Sequence, residues 1–512
     1  MDDGLPLVGV IGAGTMGAGI VQVAALAGHR VLLADAVDGA AGRAIGRIRE
    51  RVKAQVAKGR LAVDPDALDL APAAISDLAA AGVVVEAIVE DLAVKRALFA
   101  ELERVVSADC LLASNSSSLT PTAMAAGLAH PERVVGLHFF NPVPVMRLVE
   151  VISGLATEAA AADRAEALAR AWGKTVVRSA ATPGFIVNRI ARPYYAEAWR
   201  LLEEHAAVPA VIDAVLTGAG GFRMGPFALM DLIGHDVNES VTRSVWASFG
   251  NDPRFAPSLA QRSLVEAGWL GRKAGRGCYD YADGATPAVP APAAPRHAPA
   301  FVISHPDTEL TQLLARSGVS VQRSGAEGQE GDHGLVELPG GPLLARCAGE
   351  TATALAAAHG RPVIVVDRTL DDATATAIAV AASAGCPADA LDMAVGLLQA
   401  AGLDVLVIDD VPGLIVTRTV AMLANLGADA VAGRVASAAD VDTAMRLGVN
   451  YPEGPLAWAG RWGLPTVLAI LDQLEDWYRD GHYRPSPLLR RAVLTNGTLT
   501  SEAPKNKTGA SS

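Results

Sequence analysis

Apolar and polar positions fall into alternating blocks along the first third of the chain. Residues 7–11 (LVGVI) form a short apolar run, the mark of a buried strand. A glycine-rich turn follows, then the helical pattern MGAGIVQVAALAG (16–28) and a second apolar run, VLLAD (31–35). This β-turn-α-β opening predicts a parallel sheet. Runs at 83–89 (VVVEAIV), 111–113 and 134–138 (VVGLH) continue the alternation, with helical segments between them. From about 183 the strand pattern stops, and Ala/Leu-rich helical patterns run to about 277. Residues 282–300 hold five prolines and eight alanines, which predicts an extended, semi-rigid linker. Beyond it FVIS, VSVQ, PVIVVD and LDVLVI read as strands between helices. A second helical region spans about 414–494, and the polar end at 496–512 is expected to be disordered.

The two halves are related. Pro183-Gly184-Phe185-Ile186-Val187-Asn188-Arg189 resembles Pro412-Gly413-Leu414-Ile415-Val416-Thr417-Arg418, an offset of 412 − 183 = 229. The same offset carries Asp213 onto Asp442, Gly225-Pro226 onto Gly454-Pro455, Gly234 onto Gly463, and residues 134–138 onto 363–367. One shift without gaps over this span indicates an internal duplication. The second copy has a shortened front, because its first strand begins near 301.

The chain has 512 residues, enough for several domains. Hydrophobic residues make up 51% and charged residues 19%, which excludes general disorder. The net charge of −12 disfavours nucleic acid or an anionic membrane as the main partner. Cys110, Cys278, Cys347 and Cys386 are scattered without metal-ligand spacing, so no metal site is expected. Unpaired cysteines, an acidic start at Met1-Asp2-Asp3 and no uninterrupted apolar span of ~20 residues lead to a cytoplasmic expectation.

Gly12-Ala13-Gly14-Thr15-Met16-Gly17 fits GxGxxG between a strand and a helix. In that setting the glycines allow a tight turn, approach of a pyrophosphate to the backbone, and close helix packing. The helix N-terminus offers free N–H groups to phosphate. Asp35 ends the next strand, 35 − 17 = 18 residues past the last glycine, where a carboxylate accepts from ribose hydroxyls. It would repel a 2′-phosphate, so NAD is favoured over NADP.

SNSSSL (114–119), GLHFFNPVPVMRLVEV (136–151) and TPGFIVNRI (182–190) resemble the L-3-hydroxyacyl-CoA dehydrogenase family over roughly residues 5–282. The duplicated second half is similar to the long two-copy bacterial form, which acts on 3-hydroxybutyryl- or 3-hydroxyadipyl-CoA, the latter in phenylacetate breakdown. The resemblance implies an NAD-binding Rossmann domain at 1–181 and a helical domain of substrate or dimerisation type at 182–281. After the linker at 282–300 it implies a degenerate Rossmann-like domain at 301–411, a second helical domain at 412–495, and the tail at 496–512. In this reading the fold is α/β plus all-α, repeated once in degraded form. A tandem helical copy could supply within one chain the dimer contact that the family makes between chains; a homo-oligomer stays open.

Oxidising a secondary alcohol needs a base for the hydroxyl proton, and imidazole suits neutral pH. The resemblance implies that His138 is that base and Glu150, 12 residues on, its partner. It implies that Ser117 and Asn188 are substrate-facing donors to the oxygen where charge develops. It further implies that Glu90, Lys95, Asn115, Asn141 and Lys273 contact the cofactor. The segment 43–60 carries Arg43, Arg47, Arg49, Arg51, Lys53, Lys58 and Arg60 against one acid, Glu50. Such a cationic helix fits the phosphates of coenzyme A, with contacts implied at Arg51 and Lys58. At the 229 offset His138 falls on Asp367, Glu150 on Ala379, Ser117 on Arg346 and Asn188 on Thr417, so the second copy is read as structural. Two rivals remain: a 3-hydroxyacid dehydrogenase of the gulonate type that does not use CoA, and a non-catalytic NAD-binding scaffold.

Overall fold

The computed structural model describes residues 5–285, 288–306, 308–323 and 334–499. The part of the expected disordered tail beyond 499 lies outside the described residues. The chain divides into two compact units, each discontinuous in sequence. The first holds residues up to 189 together with 433–449; the second holds 190–432 and 450–499.

The first unit is built on eight strands: β1 (Val8–Ile11), β2 (Val31–Ala34), β3 (Leu70–Pro72), β4 (Val83–Glu86), β5 (Leu111–Ser114), β6 (Val134–Phe139), β7 (Leu148–Ser153) and β8 (Thr175–Ala180). Their order is β3-β2-β1-β4-β5-β6-β7-β8, a Rossmann sheet in which β1 through β6 pair in parallel. The opening is parallel as expected, and one step departs from that pattern, because β7 runs antiparallel to β6. Residues 142–147 join those strands directly, and a chain that short reverses rather than crosses over. Helices α1 (Thr15–Leu26), α2 (Ala40–Ala57) and α3 (Leu92–Val105) cover the faces. Buried β1 and β2 explain the unbroken apolar runs read from the sequence.

The second unit carries a seven-stranded sheet: β9 (Phe301–Ser304), β10 (Ser320–Arg323), β11 (Val336–Glu337), β12 (Leu343–Arg346), β13 (Val363–Val366), β14 (Ala377–Ala382) and β15 (Asp404–Val407), in the order β10-β9-β11-β12-β13-β14-β15. Shifted by 229, β7 lies on β14, and the antiparallel step of β6 and β7 recurs at β13 and β14. The front differs: a two-residue antiparallel β11 stands in the middle of the order, next to β9. The Pro/Ala segment is not a free spacer. Ala293 N donates to Val405 O at 2.8 Å, and Gln399 Nε2 donates to Ala293 O at 2.9 Å, so the segment lies along the edge strand β15.

One edge of each sheet meets a piece of the other copy. In the first unit Ala180 N donates to Val435 O at 2.8 Å, and the helix Ala438–Gly448 packs on β7 and β8. In the second, Asp409 N donates to Ala206 O at 3.0 Å, and the helix Pro209–Gly218 packs on β14. The pairs 180/435 and 409/206 exchange under the 229 shift. Within the second unit the two helical copies also join. The buried Arg418 donates to Glu197 at 3.0 Å and to Glu204 at 2.9 Å, while His482 and Tyr483 also bond Glu197. Burial pushes the Glu197 carboxyl up, but His482, Arg418 and Arg200 outweigh it and hold the group at about 2.

Candidate active site

The Gly-rich turn links β1 to α1. Gly12 has φ +107°, and a Cβ there would sit 2.4 Å from Ala87 O, so the turn presses against the end of β4. A Cβ on Gly17 would lie 1.8 Å from Gly12 O, which explains the third glycine by helix packing. Gly14 has nothing within 4 Å of such a Cβ. It and Thr15 are exposed and Met16 is half-buried, leaving the helix N-terminus open for a pyrophosphate. Asp35 Oδ2 accepts from Ala13 N at 2.6 Å, and Oδ1 accepts from Val37 N at 2.8 Å. The carboxylate is thereby fixed beside the turn with lone pairs left for ribose hydroxyls. These residues fit NAD.

His138 and Glu150 are direct partners across the antiparallel β6–β7 pair. His138 Nδ1 lies 2.6 Å from Glu150 Oε2, and both side chains are buried. The other oxygen, Oε1, accepts from Ile186 N and Val187 N, each at 3.0 Å. Glu150 is therefore held from behind by the start of the short helix Val187–Ile190, which also carries the half-buried Asn188. Phe140 and Phe185 flank the imidazole, with ring centroids 4.6 and 5.9 Å away. With Nδ1 engaged by a carboxylate, Nε2 is the ring nitrogen left to exchange a proton.

Asn115 Oδ1 accepts from Phe139 N at 2.9 Å, tying the serine-rich turn to the residue after His138. Ser117 sits half-buried on that turn. Glu90 Oε1 accepts from Ser116 Oγ at 2.5 Å, Ser118 Oγ at 2.8 Å, Ser118 N at 3.1 Å and Ser117 N at 3.2 Å. Burial raises the Glu90 carboxyl, yet the serine hydroxyls and the Lys95 ammonium outweigh it and leave it below the usual carboxylate range. Lys95 is 1% exposed, with its ammonium on Glu86 at 2.5 Å and Glu90 at 3.3 Å, so it braces the turn. Asn141 is exposed beyond β6, before a cis proline, and the loop it opens is pinned by Lys174, which donates to Val143 O and Met146 O. Burial pushes Lys174 down to about 8.

On α2, Arg51 and Lys58 are exposed, with Arg51 reaching Gln22 at 3.4 Å. Arg49 leaves the cationic face to bond the carbonyls of Pro65, Asp66 and Leu68. Lys273, in the second unit, is paired with Asp236 at 2.6 Å. Asp231, His235 and Cys278 cluster within 4.8 Å, but Asp231 already accepts from Cys278 N, Tyr279 N, Tyr281 and His235, which explains the group as an anchor for residues 278–281.

Residues 7–182 match the NAD binding domain of 3-hydroxyacyl-CoA dehydrogenase, and 184–281 and 413–504 both match its C-terminal domain. The chain belongs to the 3-hydroxyacyl-CoA dehydrogenase family. It is an NAD-dependent dehydrogenase. Residues 344–412 match the reduced Rossmann-fold domain of 3-hydroxybutyryl-CoA dehydrogenase, in agreement with the truncated second sheet. The chain is 46% identical to the 3-hydroxyadipyl-CoA dehydrogenase of Escherichia coli K12 over 96% of its own length and 98% of that protein. The crystal structure of 3-hydroxybutyryl-CoA dehydrogenase from E. coli K12 superposes with a TM-score of 0.86 at 45% identity, covering 96% of this chain and 99% of that one. A shorter relative, the 3-hydroxybutyryl-CoA dehydrogenase of Mycobacterium tuberculosis H37Rv, is 40% identical over 55% of this chain and all of its own.

Glu86 lies outside the motifs that carry the family resemblance. Its carboxylate is fully buried at the end of β4, inside an otherwise apolar run. A charge in such a run is the signal that could have singled it out.

Proposed function

We propose that the chain oxidises (3S)-3-hydroxyacyl-CoA to 3-oxoacyl-CoA, with 3-hydroxyadipyl-CoA as its preferred substrate. The observation that carries the reaction is the buried His138–Glu150 pair at 2.6 Å. Glu150 accepts the Nδ1 proton and keeps the lone pair of Nε2 free, so His138 takes the proton of the substrate hydroxyl at Nε2. The imidazolium formed is held by the Glu150 carboxylate, whose own charge is supported by Ile186 N and Val187 N. NAD⁺, when bound, supplies the hydride acceptor. The Gly12–Gly17 turn and Asp35 bind and orient the dinucleotide, while Glu90, Lys95, Asn115 and Asn141 set the loops beside it. Ser117 and Asn188 donate to the oxygen that gains charge as the carbonyl forms. Arg51 and Lys58 on the exposed face of α2 attract the coenzyme A phosphates.

The full-length relative named for 3-hydroxyadipyl-CoA supports the dicarboxylyl substrate. The equally long solved relative named for 3-hydroxybutyryl-CoA supports a second reading, the shorter monocarboxylyl substrate. The second copy serves as an intramolecular partner, forming a pseudo-dimer; the joined helices around Arg418 and Glu197 support this. No helix among the described residues is long and apolar enough to cross a membrane. The test is NADH formation with both acyl-CoA esters and with the free acids. A higher kcat/KM for 3-hydroxyadipyl-CoA is expected. A preference for 3-hydroxybutyryl-CoA selects the second reading, and turnover of free acids alone overturns the proposal.

A further inference from the structure

Three donors converge on the Glu86 carboxylate. Oε1 accepts from Ile88 N at 2.7 Å and Lys95 Nζ at 2.5 Å, and Oε2 accepts from Ser114 Oγ at 2.6 Å. Its backbone carbonyl accepts from Asn115 N at 2.8 Å. A buried ion pair of this kind costs desolvation and is a poor route to stability, since apolar residues of similar size fill such a place as well. Its geometry, in contrast, is specific. The Ser114 hydroxyl gives its proton to Glu86, so its lone pair is free to accept from Ser116 N at 3.1 Å. Lys95, held by Glu86, reaches Glu90 at 3.3 Å, and Glu90 takes the N–H groups of Ser117 and Ser118. Both ends of the 114–118 turn therefore hang on one carboxylate. Between them, Asn115 grips Phe139 N beside His138.

We propose that Glu86 is a positioning residue for the dehydrogenase reaction: acting through Ser114 and Lys95, it sets the turn that carries Ser117 and Asn115 toward His138. This rests on the role given above to Ser117. Glu86 touches neither reacting atom in this account. Removing its charge frees Ser114 to rotate and leaves Lys95 with Glu90 alone, so the turn loses register without losing its residues.

The test uses the full chain with Glu86→Gln and Ser114→Ala, alone and combined. In Glu86→Gln, kcat is expected to fall about tenfold or more, the equivalent of about 1.4 kcal/mol of barrier, while KM for acyl-CoA moves less. The double variant should lose no more than Glu86→Gln, because both changes cut one relay. Hydrogen exchange of the Ser116–Ser118 amides should quicken while exchange elsewhere is unchanged. Should Glu86→Gln not fold, Ser114→Ala alone carries the test with a smaller kcat loss. A kcat within twofold of wild type in folded variants, or unchanged exchange in the turn, overturns the proposal. Inactive wild-type protein overturns the functional reading instead, and the exchange measurement then decides whether Glu86 holds the turn.

Discussion

Glu150 and Asp367 hold equivalent backbone N–H pairs from neighbouring strands of the two copies. Glu150, on β7, accepts from Ile186 N and Val187 N. Asp367, just past β13 at the position of His138, accepts from Ile415 N at 3.0 Å and Val416 N at 2.7 Å. The PGFIVNR and PGLIVTR helix starts thus each require a carboxylate. In the first copy that carboxylate has an oxygen left for an imidazole. In the second, Thr417 and the backbone of Arg368 take what remains. In the second copy Ala379 stands in place of Glu150, and the carboxylate on the backbone pair comes from the position of His138. Asp367→Asn is expected to destabilise the chain by about 3 kcal/mol, because an amide turns donors toward donors. Calorimetry should show a lowered Tm with kcat per folded molecule unchanged; a fall in kcat without a fall in Tm would contradict the structural role.

Glu150→Gln should cost more than a lost charge. The amide oxygen stays with Ile186 N and Val187 N, so the NH₂ group faces His138 Nδ1. Nδ1 must then accept, and the ring proton moves to Nε2, where a base needs a lone pair. We expect kcat to fall about a hundredfold or more. Nitrogen NMR of the imidazole should report the exchanged tautomer. An unchanged tautomer with full activity would exclude this mechanism.

The glycines of the turn should separate binding from folding. Gly14 has open space where a Cβ would go, so Gly14→Ala should leave Tm unchanged while raising the Kd for NAD at least tenfold. Gly17→Ala meets the Gly12 carbonyl at 1.8 Å, so it should lower both Tm and binding. Equal effects of the two changes on Tm would be inconsistent with this geometry.

The Glu197 network sets an acid limit on stability. Its folded carboxyl, at about 2, lies below the ordinary 4.5, so the contribution is present above pH 4.5 and is lost as pH falls toward 2. The size of the shift corresponds to about 3 kcal/mol. Melting curves of wild type and Glu197→Gln should differ most above pH 4.5 and converge toward pH 2. A gap that widens on acidification would reverse the assignment.

Much of the site was legible because its residues lie in short, dense motifs. The Gly12–Gly17 turn is local, and its strand and helix flanks fix its geometry. His138 and Glu150 were expected as a pair from the family resemblance, but not the antiparallel step that aligns them, since LVEVI reads the same in either direction of pairing. Lys95 and Glu90 were expected as cofactor contacts; their ion pair and its third member, Glu86, hidden inside an apolar strand, emerged only in three dimensions. The closure of β8 by Val435 had no local signal at all, because that bond joins residues 255 positions apart (435 − 180). Duplication at offset 229 announced that two copies exist, while the exchange of helices between their sheets emerged only in three dimensions.

His138→Asn tests the central claim most directly. The variant keeps the strand and its neighbours but offers no base. With 3-hydroxyacyl-CoA and NAD⁺ at saturation, NADH formation is expected to fall about a hundredfold to ten-thousandfold relative to wild type. NAD affinity, measured in the same preparations, should be unchanged, since the turn and Asp35 follow β1 and β2, away from β6. Near-wild-type turnover by the folded variant would show that another group takes the hydroxyl proton and would contradict the account.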